Sequence, residues 1–130
     1  MRTRRIAVVL LGLLVLLVAC GALGMRWFNV TYKSPPRIEV VNNSDLDLRD
    51  LVVEGAGFRL QIDRLPAHSK MTAMVHVAGE SGLRVSFAVG SKSYSDNDLA
   101  YLEEQGGYYA VVTIDEALNI HARPHIMRFF

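Results

Sequence analysis

Between Leu83 and Val89 every second residue (Leu83, Val85, Phe87, Val89) is apolar, and this alternation constrains the fold more than any other feature of the chain. A period of two belongs to a strand with one buried face, because successive side chains in a strand point to opposite sides. Related patterns run from residue 37 to residue 122. Arg37-Ile-Glu-Val-Val-Asn42 alternates and is rich in β-branched residues, and Asn42-Asn-Ser-Asp45 supplies turn chemistry. Leu51-Val-Val-Glu54 and Phe58-Arg-Leu-Gln-Ile62 read as a hairpin around Gly55-Ala-Gly57. Pro66 breaks the pattern, after which Met71, Ala73, Val75 and Val77 share a face. Gly79-Glu-Ser-Gly82 reads as a turn and Lys92-Ser-Tyr94 as a short strand. Tyr108 to Ile114 forms a further strand, and Asp115-Glu-Ala turns it into Leu118-Asn-Ile-His121. One segment departs from the β pattern: Ser95-Asp-Asn-Asp98 offers an N-cap, Leu99 and Leu102 lie three apart, and Gly106-Gly107 is a stop signal, which predicts a helix of about two turns. Seven or eight strands at spacings of about 8 to 12 residues predict a mainly β protein, a small antiparallel β-sandwich, with no internal repeat.

The N-terminus follows a different rule. Met1-Arg-Thr-Arg-Arg5 leads into an apolar run from Ile6 to Gly24 that holds the single cysteine, Cys20. A basic start, an apolar core and the tetrapeptide Leu17-Val18-Ala19-Cys20 together resemble the export signal and lipobox of bacterial prolipoproteins, in which cleavage precedes a lipid-modified cysteine. The resemblance implies lipidation of Cys20, a membrane-anchored domain on the export side, and, because Gly21 rather than an aspartate follows the cysteine, the outer membrane of a Gram-negative envelope. The same run fits a second reading. At 1.5 Å per residue it is about 28 Å long, enough to cross a bilayer uncut, and Met25-Arg-Trp-Phe28 places a charge and two aromatic rings where a span meets the interface. Either way the expected layout is a signal peptide or membrane anchor over 1–24, a tether over 25–36 ending in Lys33-Ser-Pro-Pro36, the β-sandwich over 37–122, and a C-terminal tail over 123–130.

Charge and cysteine content narrow the function. The whole chain has a net charge of +1, but a chain cut before Cys20 keeps about 111 residues, with 11 basic against 13 acidic, so the exported part is slightly acidic. Nucleic-acid binding needs basic residues gathered on one face, and none is expected. With one cysteine no intramolecular disulfide forms, so the domain is held by its apolar core. Asn29-Val-Thr31 and Asn42-Asn-Ser44 fit the glycosylation pattern, which the prokaryotic-looking signal makes irrelevant.

The segments Ile38-Glu-Val-Val-Asn-Asn-Ser44, Leu51-Val-Val-Glu-Gly55 and Leu65-Pro-Ala-His-Ser69 resemble immunoglobulin-like domains of bacterial envelope proteins, in which a strand ending in Asn-x-Ser precedes a hairpin and a Leu-Pro-x-x-Ser turn. This implies a fold and no particular activity.

Candidate sites are few. His121-x-x-x-His125 has the spacing of two metal ligands on one face of a helix, but Pro124 lies between them and a strand runs into His121. His68 is placed to pair with Asp63 as an acid–base dyad, without a nucleophile beside it, and His76 faces away from the core stripe. Asp45, Asp47 and Asp50 share one loop and Asp96 and Asp98 another, which would bind calcium if the loops converged. Glu103-Glu104 reads as a solvated face. No cofactor motif or nucleophile elbow is present, and no metal or cofactor is expected. For recognition the candidates are aromatic: Tyr94, Tyr101, Tyr108 and Tyr109 cluster in the C-terminal half, with Tyr108 and Tyr109 on opposite faces, and Phe129 and Phe130 end an apolar segment from Ile126 suited to a sheet edge or a partner. The resulting expectation is a non-enzymatic binding or assembly module with an envelope protein partner. The alternatives are a single-pass membrane protein with the same exposed domain, or a small exported metal-binding protein or hydrolase using His68 with Asp63, or His121 with His125.

Overall fold

The computed structural model describes residues 2–32 and 35–126, with side chains described for 6–29 and 35–125. The chain divides into two units, Met1–Lys33 and Ser34–Phe130.

The first unit is helix α1, Arg2–Tyr32. Its stretch Ile6–Asn29 comprises 24 residues with a mean hydropathy of 3.1, none of it buried, and is about 36 Å long at 1.5 Å per residue. Leucine, valine and alanine surround the axis, so no polar side exists to face water, and Leu17 and Val18 are 64% and 65% exposed. A helix apolar on all sides needs an apolar environment outside the chain, so α1 fits a membrane anchor or a signal sequence. Residues 25–32, expected to begin a tether, are helical.

The second unit is mainly β. Its strands are β1 (Arg37–Asn42), β2 (Leu48–Gly55), β3 (Phe58–Leu65), β4 (Lys70–Met74), β5 (Glu80–Gly82), β6 (Arg84–Val89), β7 (Lys92–Asp96), β8 (Tyr101–Glu103), β9 (Tyr108–Ile114) and β10 (Ile120–Ile126). Two four-stranded sheets, ordered β10-β9-β1-β4 and β3-β2-β6-β7, are joined by a two-stranded ribbon, β5-β8. Every pairing is antiparallel except that of β1 with β9, which run parallel from Arg37 opposite Tyr109 to Asn42 opposite Ile114.

One apolar core explains this arrangement. Ile38 and Val40 of β1 with Ala110, Val112 and Ile114 of β9 meet Leu51 and Val53 of β2 and Val85 and Phe87 of β6, and all are nearly or fully buried. The alternations expected for β1, β4, β6 and β9 are observed, as is the β2-β3 hairpin, in which Gly55 opposes Phe58. At Asp50, where φ is +48°, the β2-β6 register shifts, which moves Val52 onto the outer side of the sheet.

Three expectations are corrected. The segment after β7 forms no helix, because its groups are taken by tertiary partners: Leu83 and Leu99 or Ala100 exchange backbone hydrogen bonds of 3.0 and 3.2 Å, and Leu102 is fully buried in β8. Residues 80–82 are a strand rather than a turn. Ser81 is buried, and its hydroxyl accepts from the Ala56 amide at 2.6 Å and donates to the Gly82 carbonyl at 2.8 Å. The last strand begins later and runs further than the alternation suggests, since Leu118 sits in a turn with φ +66° and β10 continues through Arg123 and Pro124 to Ile126. Pro124 is tolerated because β10 is an edge strand, where a missing N–H breaks no ladder.

Candidate functional site

Several of the aspartates and histidines singled out in the sequence have defined partners in the fold. Asp45 and Asp47 lie between β1 and β2. Asp47 accepts from the Ala67 amide at 3.0 Å and from Arg64 Nε at 2.8 Å, and these bonds hold its carboxyl below the ordinary carboxylate value. Asp45 Oδ1 lies 2.7 Å from His68 Nε2, so His68 pairs with Asp45 and not with Asp63, which is exposed on β3. The two aspartate loops do not converge. Arg49 opposes Ala88 and Ser93 of β7 opposes that same residue, whereas Asp96 opposes Val85 near Glu54, which places Asp96 and Asp98 at the far end of the sheet from Asp45, Asp47 and Asp50. Among the described residues no three His, Cys, Asp or Glu side chains gather in a geometry able to hold a metal.

His121 and His125 share one face of β10, but in a strand four residues span about 13 Å, and Arg123 lies between them, so they cannot chelate one ion. His121 Nε2 is 2.9 Å from Asp115 Oδ2. That bond, helped by the Asn119 amide, holds the Asp115 carboxyl down at about 2. The His125 ring leans on Tyr109 with centroids 6.0 Å apart. His76 is exposed, as expected.

The aromatic candidates separate by face. Tyr108 packs against the core, while Tyr109 lies half-buried on the opposite face, where loss of solvent and a hydrogen bond to Glu39 raise the pKa of its hydroxyl. Tyr94 stacks on Phe87 at 5.1 Å. Tyr101 is 42% exposed on the ribbon, where loss of solvent and the neighbouring Glu80 raise its pKa strongly. Phe129 and Phe130 lie outside the described residues. Cys20 is exposed on α1.

The outer face of the sheet β10-β9-β1-β4 brings several of these groups together. Register places His121 beside Thr113, Arg123 beside Val111 and His125 beside Tyr109. These residues, apart from Tyr109, line a depression of about 340 Å³. Arg37 of β1 stands on the far side of Tyr109, and Glu39 beyond Val111. Arg123, Val111 and Thr113 were not distinguished in the sequence. The available signal was the alternation of His121, Arg123 and His125 with Ala122 and Pro124, obscured by a proline that normally argues against a strand.

No family model and no curated protein matches the chain. Among solved structures it is similar to the NMR structure of a protein from Eubacterium rectale, with a TM-score of 0.51 and 11% identity, covering 75% of this chain and 94% of that one. At that identity the likeness concerns the fold alone.

Proposed function

We propose that this chain is a membrane-anchored envelope lipoprotein whose β domain, on the export side, is a non-enzymatic binding or assembly module. The observation that carries the reading is the contrast between the two units: a largely apolar 24-residue stretch of α1 with no buried face, and a β domain with an apolar core of its own. The basic residues Arg2, Arg4 and Arg5 precede the span, an arrangement that favours a cytoplasmic start and export of the domain beyond the span. Binding is preferred to catalysis because His68 and His121 are each held by an aspartate, and the hydroxyl next to His68, that of Ser69, is itself bonded to the Pro66 carbonyl at 2.6 Å. In the lipoprotein reading Cys20 carries the acyl chains and the residues before it are removed, with Gly21 favouring outer-membrane delivery.

A specific observation favours a second mode of attachment. The helix is unbroken through Cys20, and the 24-residue apolar stretch extends past it to Asn29, long enough to span a bilayer of about 30 Å with some tilt. In that case the same domain hangs from an uncleaved single-pass anchor.

Fractionation of cells producing the full chain tests the shared claim. The protein is expected in the membrane fraction after a carbonate wash, and its β domain should be digested by protease added outside spheroplasts. Recovery in the soluble cytoplasm, or protection from external protease in spheroplasts with digestion only after lysis, would overturn it.

A further inference from the structure

We propose that the depression on the outer face of β9 and β10 binds a phosphate-bearing ligand, with Arg123 as its central contact; this deepens the binding-module reading and rests on it. Alternation aims His121, Arg123 and His125 to one side of a single edge strand, with neighbours in the row about 6.8 Å apart. Beside them β9 presents the Thr113 hydroxyl and the Val111 methyl groups.

The nearby carboxylates already have partners other than Arg123. Asp115 accepts from the backbone amides of Ala117 and Asn119 at 2.9 Å each and from Asn119 Nδ2 at 3.2 Å, and it holds His121. Glu39 takes the Tyr109 hydroxyl, the Thr72 hydroxyl at 3.4 Å and Lys70 at 3.6 Å. Arg123 therefore has no carboxylate partner among the described residues, in contrast to Arg59, Arg64 and Arg84, each of which meets an acidic side chain. An exposed guanidinium facing a depression, beside two imidazoles and with no carboxylate bonded to it among the described residues, is arranged for an external anion.

The geometry selects phosphate over carboxylate. A carboxylate uses both oxygens on the guanidinium fork, whereas a phosphate keeps a third oxygen for an imidazole or for Thr113. The Val111 side chain then offers an apolar surface to the body of an ester.

The test is calorimetric titration of the full chain in neutral detergent with inorganic phosphate, glycerol phosphate and acetate, for the wild type, Arg123→Gln, His121→Gln and the control Arg59→Gln. The expected result is saturable phosphate binding, weaker for acetate, reduced tenfold or more by Arg123→Gln, a few-fold by His121→Gln and unchanged by Arg59→Gln. Absence of saturable binding, or equal binding by Arg123→Gln and the wild type, would overturn the proposal. Repeating the titration in nanodiscs with and without phosphatidylglycerol separates two sources of the same chemistry: competition by the anionic lipid assigns the site to a headgroup, and its absence assigns it to a soluble ester. A chain that fractionates with membranes yet binds no phosphate fails this inference and leaves the anchor intact.

Discussion

The side-chain amide of Asn42 donates to the carbonyl oxygen of Pro66 at 2.9 Å, fastening the last residue of β1 to the turn between β3 and β4. The same amide reaches the carbonyls of Leu46 and Leu65 at 2.8 and 3.2 Å, while Asn42 Oδ1 accepts from the Ser44 amide and hydroxyl at 3.0 and 2.7 Å. Asn42 is fully buried, so these groups have no water to replace it. Burial also removes Asn42-Asn-Ser44 from consideration as a glycan acceptor in the folded domain.

Asn42→Ala should therefore destabilise the domain by about 3 kcal/mol, since it strands several buried backbone groups at once. Asn42→Asp should be as harmful, because a carboxylate cannot donate to the three carbonyls. Denaturant midpoints of the full chain in neutral detergent measure both. A loss below about 1 kcal/mol for either would contradict this role.

Gly57 and Gly79 form a matched pair for separating backbone strain from crowding. Both have positive φ, +83° and +74°, but a Cβ on Gly57 would stand 2.8 Å from Ala78 Cβ and 2.9 Å from its backbone nitrogen, whereas one on Gly79 would meet nothing within 4 Å. Gly79→Ala should cost about 1 kcal/mol and Gly57→Ala clearly more, about 2 to 4, because the hairpin must shift away from residue 78. Equal losses in the two variants would show that residues 57 and 78 are not packed as described.

Acid should reveal the link between Asp115 and His121. The Asp115 carboxyl titrates at about 2 in the folded chain against an ordinary value of 3.8, so the native state binds this proton less readily than the unfolded state. Its stabilising contribution is complete above the unfolded value and is lost as pH falls through about 2. Melting temperatures measured from pH 5 down to pH 2 should show Asp115→Asn less stable than the wild type at pH 5, with the gap closing toward pH 2. A gap that stays constant would mean that the carboxylate charge plays no part.

The β architecture was legible where one face of a strand meets the core, as in Leu83 to Val89 and the Phe58 to Ile62 arm of the hairpin. It was not legible where long-range partners decide. Leu99 and Leu102 carry a helical spacing, yet the Leu83 backbone and the buried site of Leu102 hold that segment extended. Ser81 and Gly82 carry turn chemistry, yet a hydroxyl bonded to Ala56 makes a short strand worth forming. The link between Asn42 and Pro66 was visible only as a paired motif, Asn-x-Ser and Leu-Pro-x-x-Ser, whose meaning depends on two turns meeting. The row of His121, Arg123 and His125 was missed for a similar reason: nothing local shows that β10 is an edge strand, a setting in which Pro124 is harmless.

The attachment of the chain is tested most directly by the intact mass of the full-length product recovered from bacterial membranes, measured beside Cys20→Ala. The account predicts a species that begins at Cys20 and carries acyl chains, absent from the variant. An unmodified chain that still contains residues 1 to 24 would contradict lipidation and assign the protein to the single-pass form.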